Sequence, residues 1–132
     1  MGLTEEERKS IINFRLEKAK GTFSEIKILI ENDLWGNAIN RLYYSCFYAA
    51  SALLINDGHL AHTHNGVKSI LASYVQKNKL DKTMIKLYGN LFNLRQRGDY
   101  EDWILIEESD VKPLIEPAKE FIATIENLLY EI

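Results

Sequence analysis

The sequence predicts an all-α fold: an antiparallel up-and-down bundle of five helices, a four-helix core with a C-terminal helix added. Three observations lead there. Apolar residues recur at spacings of three and four, no segment sustains the alternation of a half-buried strand, and the connections between periodic segments are short. At 132 residues the chain is expected to form one domain, residues 1–132, around a single core.

The first helix announces itself with Thr4 and Glu7, a capping box in which each side chain satisfies a backbone N–H left over by the first turn. Ile12, Leu16, Ala19, Phe23, Ile26 and Ile30 then draw an apolar seam to about Glu31, with Gly21 costing roughly 1 kcal/mol in its middle. A second helix from about Leu34 to Asn56 is apolar nearly all round, so it is expected at the centre, with Gly58 as its stop. Its small residues Ala38, Ser45, Ala49 and Ala52 allow a neighbouring helix to approach closely. Residues 59–63 read as a loop. Val67, Ile70, Leu71, Tyr74 and Val75 mark the inner face of a third helix ending near Asn78. Asp81 caps a fourth, in which Met84, Leu87, Tyr88, Leu91 and Leu94 face inward and Gly98 ends the helix. Ser109 or Asp110 starts the last, striped by Ile115, Ala118, Ile122, Ile125 and Leu129 and kinked by Pro117.

A composition of 46% hydrophobic and 27% charged residues excludes the disordered and fibrous classes. The opening MGLTEEERKS holds no apolar run able to act as a signal peptide, and no eighteen-residue apolar stretch follows, so a cytoplasmic protein without membrane contact is expected. Cys46 is the one cysteine and reads as a small buried hydrophobe. The net charge of -3 conceals an asymmetry: residues 59–98 carry seven bases and one acid, residues 99–132 two bases and ten acids. Such a chain can steer a polyanion to one side, or the two regions can neutralise each other.

If the second helix runs up, the third down and the fourth up, the loop DGHLAHTHNG and the stretch RQRGDYED meet at one end of the bundle. That rim would gather His59, His62, His64, Arg95, Arg97, Asp99 and Tyr100. Arginine presents a planar fork of donors that matches phosphate and stays charged at any working pH. A cation at a helix C-terminus is equally explained by the helix dipole, so both readings of Arg95 and Arg97 stand. Asp99 beside Arg97 reads as a surface ion pair. Tyr100, with an ordinary pKa near 10, is a poor general base at neutral pH. His64 is expected to cap or orient the third helix. Neither HExxH nor paired Glu-x-x-His motifs occur, so no metal and no cofactor are expected.

Three stretches, NAINRLYYSCFYAASALL, THNGV and LFNLRQRGDYED, closely resemble the HEPN domains, in particular the small stand-alone HEPN proteins, over nearly the whole chain from about Phe14 to Leu129. The resemblance implies a homodimer that works beside a minimal nucleotidyltransferase as the toxin half of a toxin–antitoxin pair. It also implies metal-independent ribonuclease chemistry, in which an arginine and a histidine a few residues later serve attack of the RNA 2′-hydroxyl on the adjacent phosphate, in a cleft shared by two subunits. Arg95 matches the motif arginine, but Tyr100 stands where the histidine should. Binding of RNA or nucleotide phosphates by Arg95 and Arg97 survives that departure better than catalysis does. By the same resemblance His64 could supply an imidazole from the neighbouring loop, and Tyr100 could accept a nucleotide from the partner. The alternative, from another class, is a non-catalytic dimeric scaffold that uses the apolar second helix and acidic last helix for assembly.

Overall fold

A computed structural model describes residues 2–59, 61–100 and 105–130, Tyr100 by its backbone alone. Its helices are α1 (Glu5–Ser24), α2 (Ile26–Glu31), α3 (Trp35–Asn56), α4 (His64–Gln76), α5 (Lys82–Tyr100) and α6 (Glu108–Tyr130), with no strand among the described residues. The all-α bundle is therefore as expected, with α1 and α2 together in place of the predicted first helix.

Local chemistry explains most of the boundaries. The capping box forms as read, Thr4 N–H donating to Glu7 Oε1 at 2.9 Å and Glu7 N–H to Thr4 Oγ1 at 3.0 Å. The seam from Ile12 to Ile30 is divided at Glu25, whose N–H bonds to Thr22 O at 3.2 Å, three residues back. There the Ser24 hydroxyl donates to Gly21 O at 2.7 Å, a side-chain bond that competes with the helical ladder. Glu25 keeps helical torsions, so the chain tightens at this point without turning away. Three helices close on a left-handed residue: Asp33 after α2, Gly58 after α3 and Asn78 after α4. Each closure is a Schellman motif, with Leu34 N–H donating to Leu29 O, His59 N–H to Leu54 O and Lys79 N–H to Tyr74 O, all at 2.9 Å.

Two sequence expectations fail locally. Thr63, not His64, caps α4, its hydroxyl accepting from Gly66 N–H at 3.0 Å. Gly98 does not end α5, which runs on to Tyr100. Its role is steric: a Cβ at Gly98 would lie 3.0 Å from Ile106 Cγ1, and Ile106 is a buried residue of the segment before α6. A helical glycine is usually improved by alanine, but here the gain meets Ile106. We expect Gly98→Leu to destabilise the protein by about 1–3 kcal/mol, the range for overpacking, measured by urea unfolding; wild-type stability would show that Ile106 has room to move. At the start of α6, Glu108 precedes the predicted Ser109, and Asp110 closes the turn by accepting from Glu107 N–H at 2.9 Å. Pro113 and Pro117 both lie inside α6.

α3 occupies the centre, as its all-round apolarity requires, and packs on α1, α2, α4, α5 and α6. Ala38, Ala49, Ala50 and Ala52 along it are fully buried. Cys46 Sγ comes within 4.0 Å of Ala118 O on α6, which only small side chains on both helices permit. Burial pushes the Cys46 thiol up to about 12, so it is an inert part of the core.

Side-chain pairs give the helix directions. α1 is antiparallel to α3, joined by Arg15 with Ser51 and by Lys18 over Tyr48, and to α6, joined by Lys20 with Glu126 and by Asn13 with Tyr130. α5 is antiparallel to α3, since Tyr43 meets Tyr88 and Phe92, while Gly98 and Asp99 at the end of α5 line one cavity with Gly36 and Asn37 at the start of α3. The step from α3 to α4 is different. His64 at the start of α4 faces Tyr43 in the first half of α3, whereas Tyr74 near its end hydrogen-bonds Asp57 just past α3. The connection thus runs back along α3, and α4 follows α3 in direction.

Candidate functional site

That returning connection corrects the expected rim. The end of α5 lies beside the start of α3, where Gly98 and Asp99 share a cavity wall with Gly36 and Asn37. His59 and His62 lie at the other end of the bundle, along a groove of about 570 Å³ walled by Arg8, Arg15 and Ser51. Strict alternation of direction was the wrong premise, because seven residues from Asp57 to Thr63 are enough chain to travel back. His64 is brought to Arg95 by the same reversal.

The centre of this cluster is Tyr43. Its ring is 6.0 Å from the His64 ring, 5.6 Å from both Tyr88 and Phe92, and 5.4 Å from Arg95 Cζ. Its hydroxyl is 3.4 Å from His64 Nδ1 and 3.3 Å from the Tyr88 hydroxyl, at the long end for hydrogen bonds. His64 stacks on Phe92, with ring centres 3.6 Å apart and planes within 10°, and on Tyr88 at 4.9 Å. Tyr88 and Phe92 are one turn apart on α5, so they present one aromatic surface to the imidazole. Sequence reasoning placed Tyr88 correctly in the core but had no means of giving Tyr43 and Phe92 these roles, since an aromatic at helical spacing looks the same whether it packs or orients.

Arg95 continues the row. Its guanidinium sits over Tyr43 and, at 5.0 Å, over Tyr44, contacts each worth about 0.5–1 kcal/mol at a partly open site. The side chain is only 16% exposed, and Nε is buried without a hydrogen-bond partner. Asp99 Oδ2, one turn on, lies 3.5 Å from Nε, close enough for attraction but outside hydrogen-bond geometry. An unsatisfied buried donor on a charged group is costly, and an anion reaching this edge of Arg95 would satisfy it. Asp99 therefore pairs with Arg95, not with Arg97 as the sequence suggested.

Arg97 does not join the site. Two positions apart on a helix, side chains diverge to different faces, and Arg97 is exposed, with none of the aromatic contacts of Arg95 among the described residues. The Tyr100 side chain lies outside the described residues.

Burial, then the charges of Lys68 and Arg95, depress the His64 imidazole to about 4. It is uncharged at neutral pH and, with so low an affinity for protons, a weak base. An unfolded imidazole titrates near 6.5, so between that pH and about 4 the folded protein binds fewer protons than the unfolded chain. The stability gained from a neutral His64 is whole above roughly pH 6.5 and is lost as pH falls through that window. We expect the His64 ring resonances to titrate near pH 4 in NMR spectra and to move upward in Lys68→Ala; a midpoint near 6.5 would mean that the ring is not shielded as described.

The HEPN domain model matches residues 12–128, which is most of the chain. The chain belongs to the HEPN family. A UPF0332 protein of Thermotoga maritima is 33% identical to this HEPN chain over 127 residues, covering 96% of each. Two proteins of Methanocaldococcus jannaschii, each named "Putative toxin", are similar as well. One is 31% identical over 89% of this chain and 87% of its own length, the other 28% identical over 81% and 74%. Among the described residues of this HEPN protein no helix is long and apolar enough to cross a membrane.

Proposed function

We propose that this HEPN protein is the toxin-like component of a two-component system with a minimal nucleotidyltransferase, and that it acts as a homodimer binding RNA phosphates at Arg95. The observation that carries the binding is the buried, unpartnered Nε of Arg95, held in place by Tyr43 and Tyr44. Guanidinium is suited to phosphate, and a side chain pinned by two rings loses little further freedom on binding. Two relatives that bear a toxin name support the biological half of the reading.

A finer reading is metal-independent cleavage, with the His64 imidazole standing in for the motif histidine; its favouring observation is that His64 and Arg95 flank the same Tyr43 ring. The low proton affinity of His64 in the free protein works against it, and a phosphate bound beside the imidazole would raise that affinity. Incubation with RNA in the presence of a chelator is expected to give 2′,3′-cyclic phosphate ends that Arg95→Ala and His64→Ala fail to produce. Equal product from all three proteins, or none from any, removes the nuclease and leaves the binding to be judged by affinity alone. A dimer that assembles normally while neither wild type nor Arg95→Ala retains RNA would favour the scaffold instead.

A further inference from the structure

Tyr44 is shared by two arginines. Arg41 Cζ on α3 lies 5.7 Å from its ring centre and Arg95 Cζ on α5 lies 5.0 Å from it, so the two guanidiniums cannot be farther apart than the sum of those distances. Each is balanced loosely: Arg41 Nη1 is 3.7 Å from Glu25 Oε2, and Arg95 Nε is 3.5 Å from Asp99 Oδ2. Neither carboxylate is in hydrogen-bond geometry with its arginine. Glu25 and Asp99 also wall the same cavity of about 530 Å³, formed where α2, the start of α3 and the end of α5 meet. Ile28 and Leu29 add apolar residues to the lining of that cavity, and Asn37 and Asn40 add polar ones. Arg41 Nη2 donates to Asn40 Oδ1 at 2.9 Å, which fixes the arginine at the cavity's edge.

We propose that Arg41 and Arg95 form a clamp for consecutive phosphates of one RNA strand, with the nucleoside between them lodged in the cavity beside Asn37 and Asn40. The inference rests on the reading of Arg95 above and extends it to a second arginine and a base pocket. Two like charges on one ring repel, and loosely held carboxylates are a poor remedy; two phosphates can displace both and bond each fork directly. A single phosphodiester brings one negative charge against the two positive charges of the guanidiniums. A single strand supplies charge at both, with a planar base between that has apolar faces and hydrogen-bonding edges, as the cavity walls do.

The test is fluorescence anisotropy with a labelled eight-nucleotide single-stranded RNA over a range of salt, on full-length wild type, Arg41→Ala, Arg41→Lys and Arg95→Ala, with thermal melts to confirm folding. Arg41→Ala is expected to weaken binding at least fivefold and to lower the slope of log K against log salt by about 0.7, the change for one single-strand phosphate contact. Arg41→Lys keeps the charge and should keep the slope while binding more weakly. A dinucleotide bearing two phosphates should displace the labelled strand better than a nucleoside monophosphate. If Arg95→Ala weakens binding and Arg41→Ala does not, or if the two competitors are equivalent, the clamp is wrong and the single-arginine reading stands. If wild type binds no RNA, both are wrong.

Discussion

RNA affinity is expected to fall at least tenfold in Arg95→Ala, a loss of about 1.4 kcal/mol or more. The size follows from position. Arg95 is mostly withdrawn from solvent, so its attraction for a phosphate is screened less than that of a surface lysine, and its Nε makes no hydrogen bond, with only the loosely placed Asp99 carboxylate at 3.5 Å to displace. Arg95→Lys separates charge from geometry. A lysine retains the positive charge but loses the planar fork and much of the packing over Tyr43 and Tyr44, so it should recover the salt dependence and only part of the affinity. Gel shifts and salt titrations, read beside thermal melts, check both variants. Wild-type binding by a folded Arg95→Ala would mean that the arginine serves only to cover the two rings.

Phe121→Ala should destabilise the fold by about 3–5 kcal/mol, a large fraction of the total for a protein of this size. Phe121 is fully buried on α6 and stacks near Tyr88, with ring centres 6.2 Å apart and planes 14° apart. Removing the ring takes away buried area and opens a void that α3, α5 and α6 cannot all close upon. Tyr88 is the next layer outward, and it carries His64 and Tyr43. The variant should therefore loosen the site as well as the core, visible as a lower midpoint in urea and as altered His64 resonances. A midpoint close to wild type would show that the core can repack around the cavity.

The helices were legible because their signals are local. A capping box, an apolar seam and a left-handed glycine act within a few residues, and Thr4 with Glu7, the buried Ile12, Leu16, Ala19 and Ile26, and Gly58 behaved as read, though the helix carrying that seam is divided at Glu25. Gly98 was misread for the opposite reason: its glycine is required by Ile106, eight residues away and outside the helix. The site was legible in part. Arg95 and His64 do flank one Tyr43 ring, yet strictly alternating helix directions would also have gathered His59 and His62, which the returning connection leaves at the far end. Arg41 gave no signal at all in the sequence, because a single base in a long apolar helix looks like a solubilising residue until Tyr44 and Arg95 are placed beside it.

The stretch from Asp57 to Thr63 also acts as a ruler. Its length bounds how far back along α3 the chain can carry His64, since each residue of extended chain measures at most about 3.3–3.6 Å. Losing one residue there shortens that maximum reach while every helix keeps its sequence. Spacing in this connector works together with Gly58, which closes α3, and Thr63, which caps α4, to bring the histidine to the arginine's end of α3.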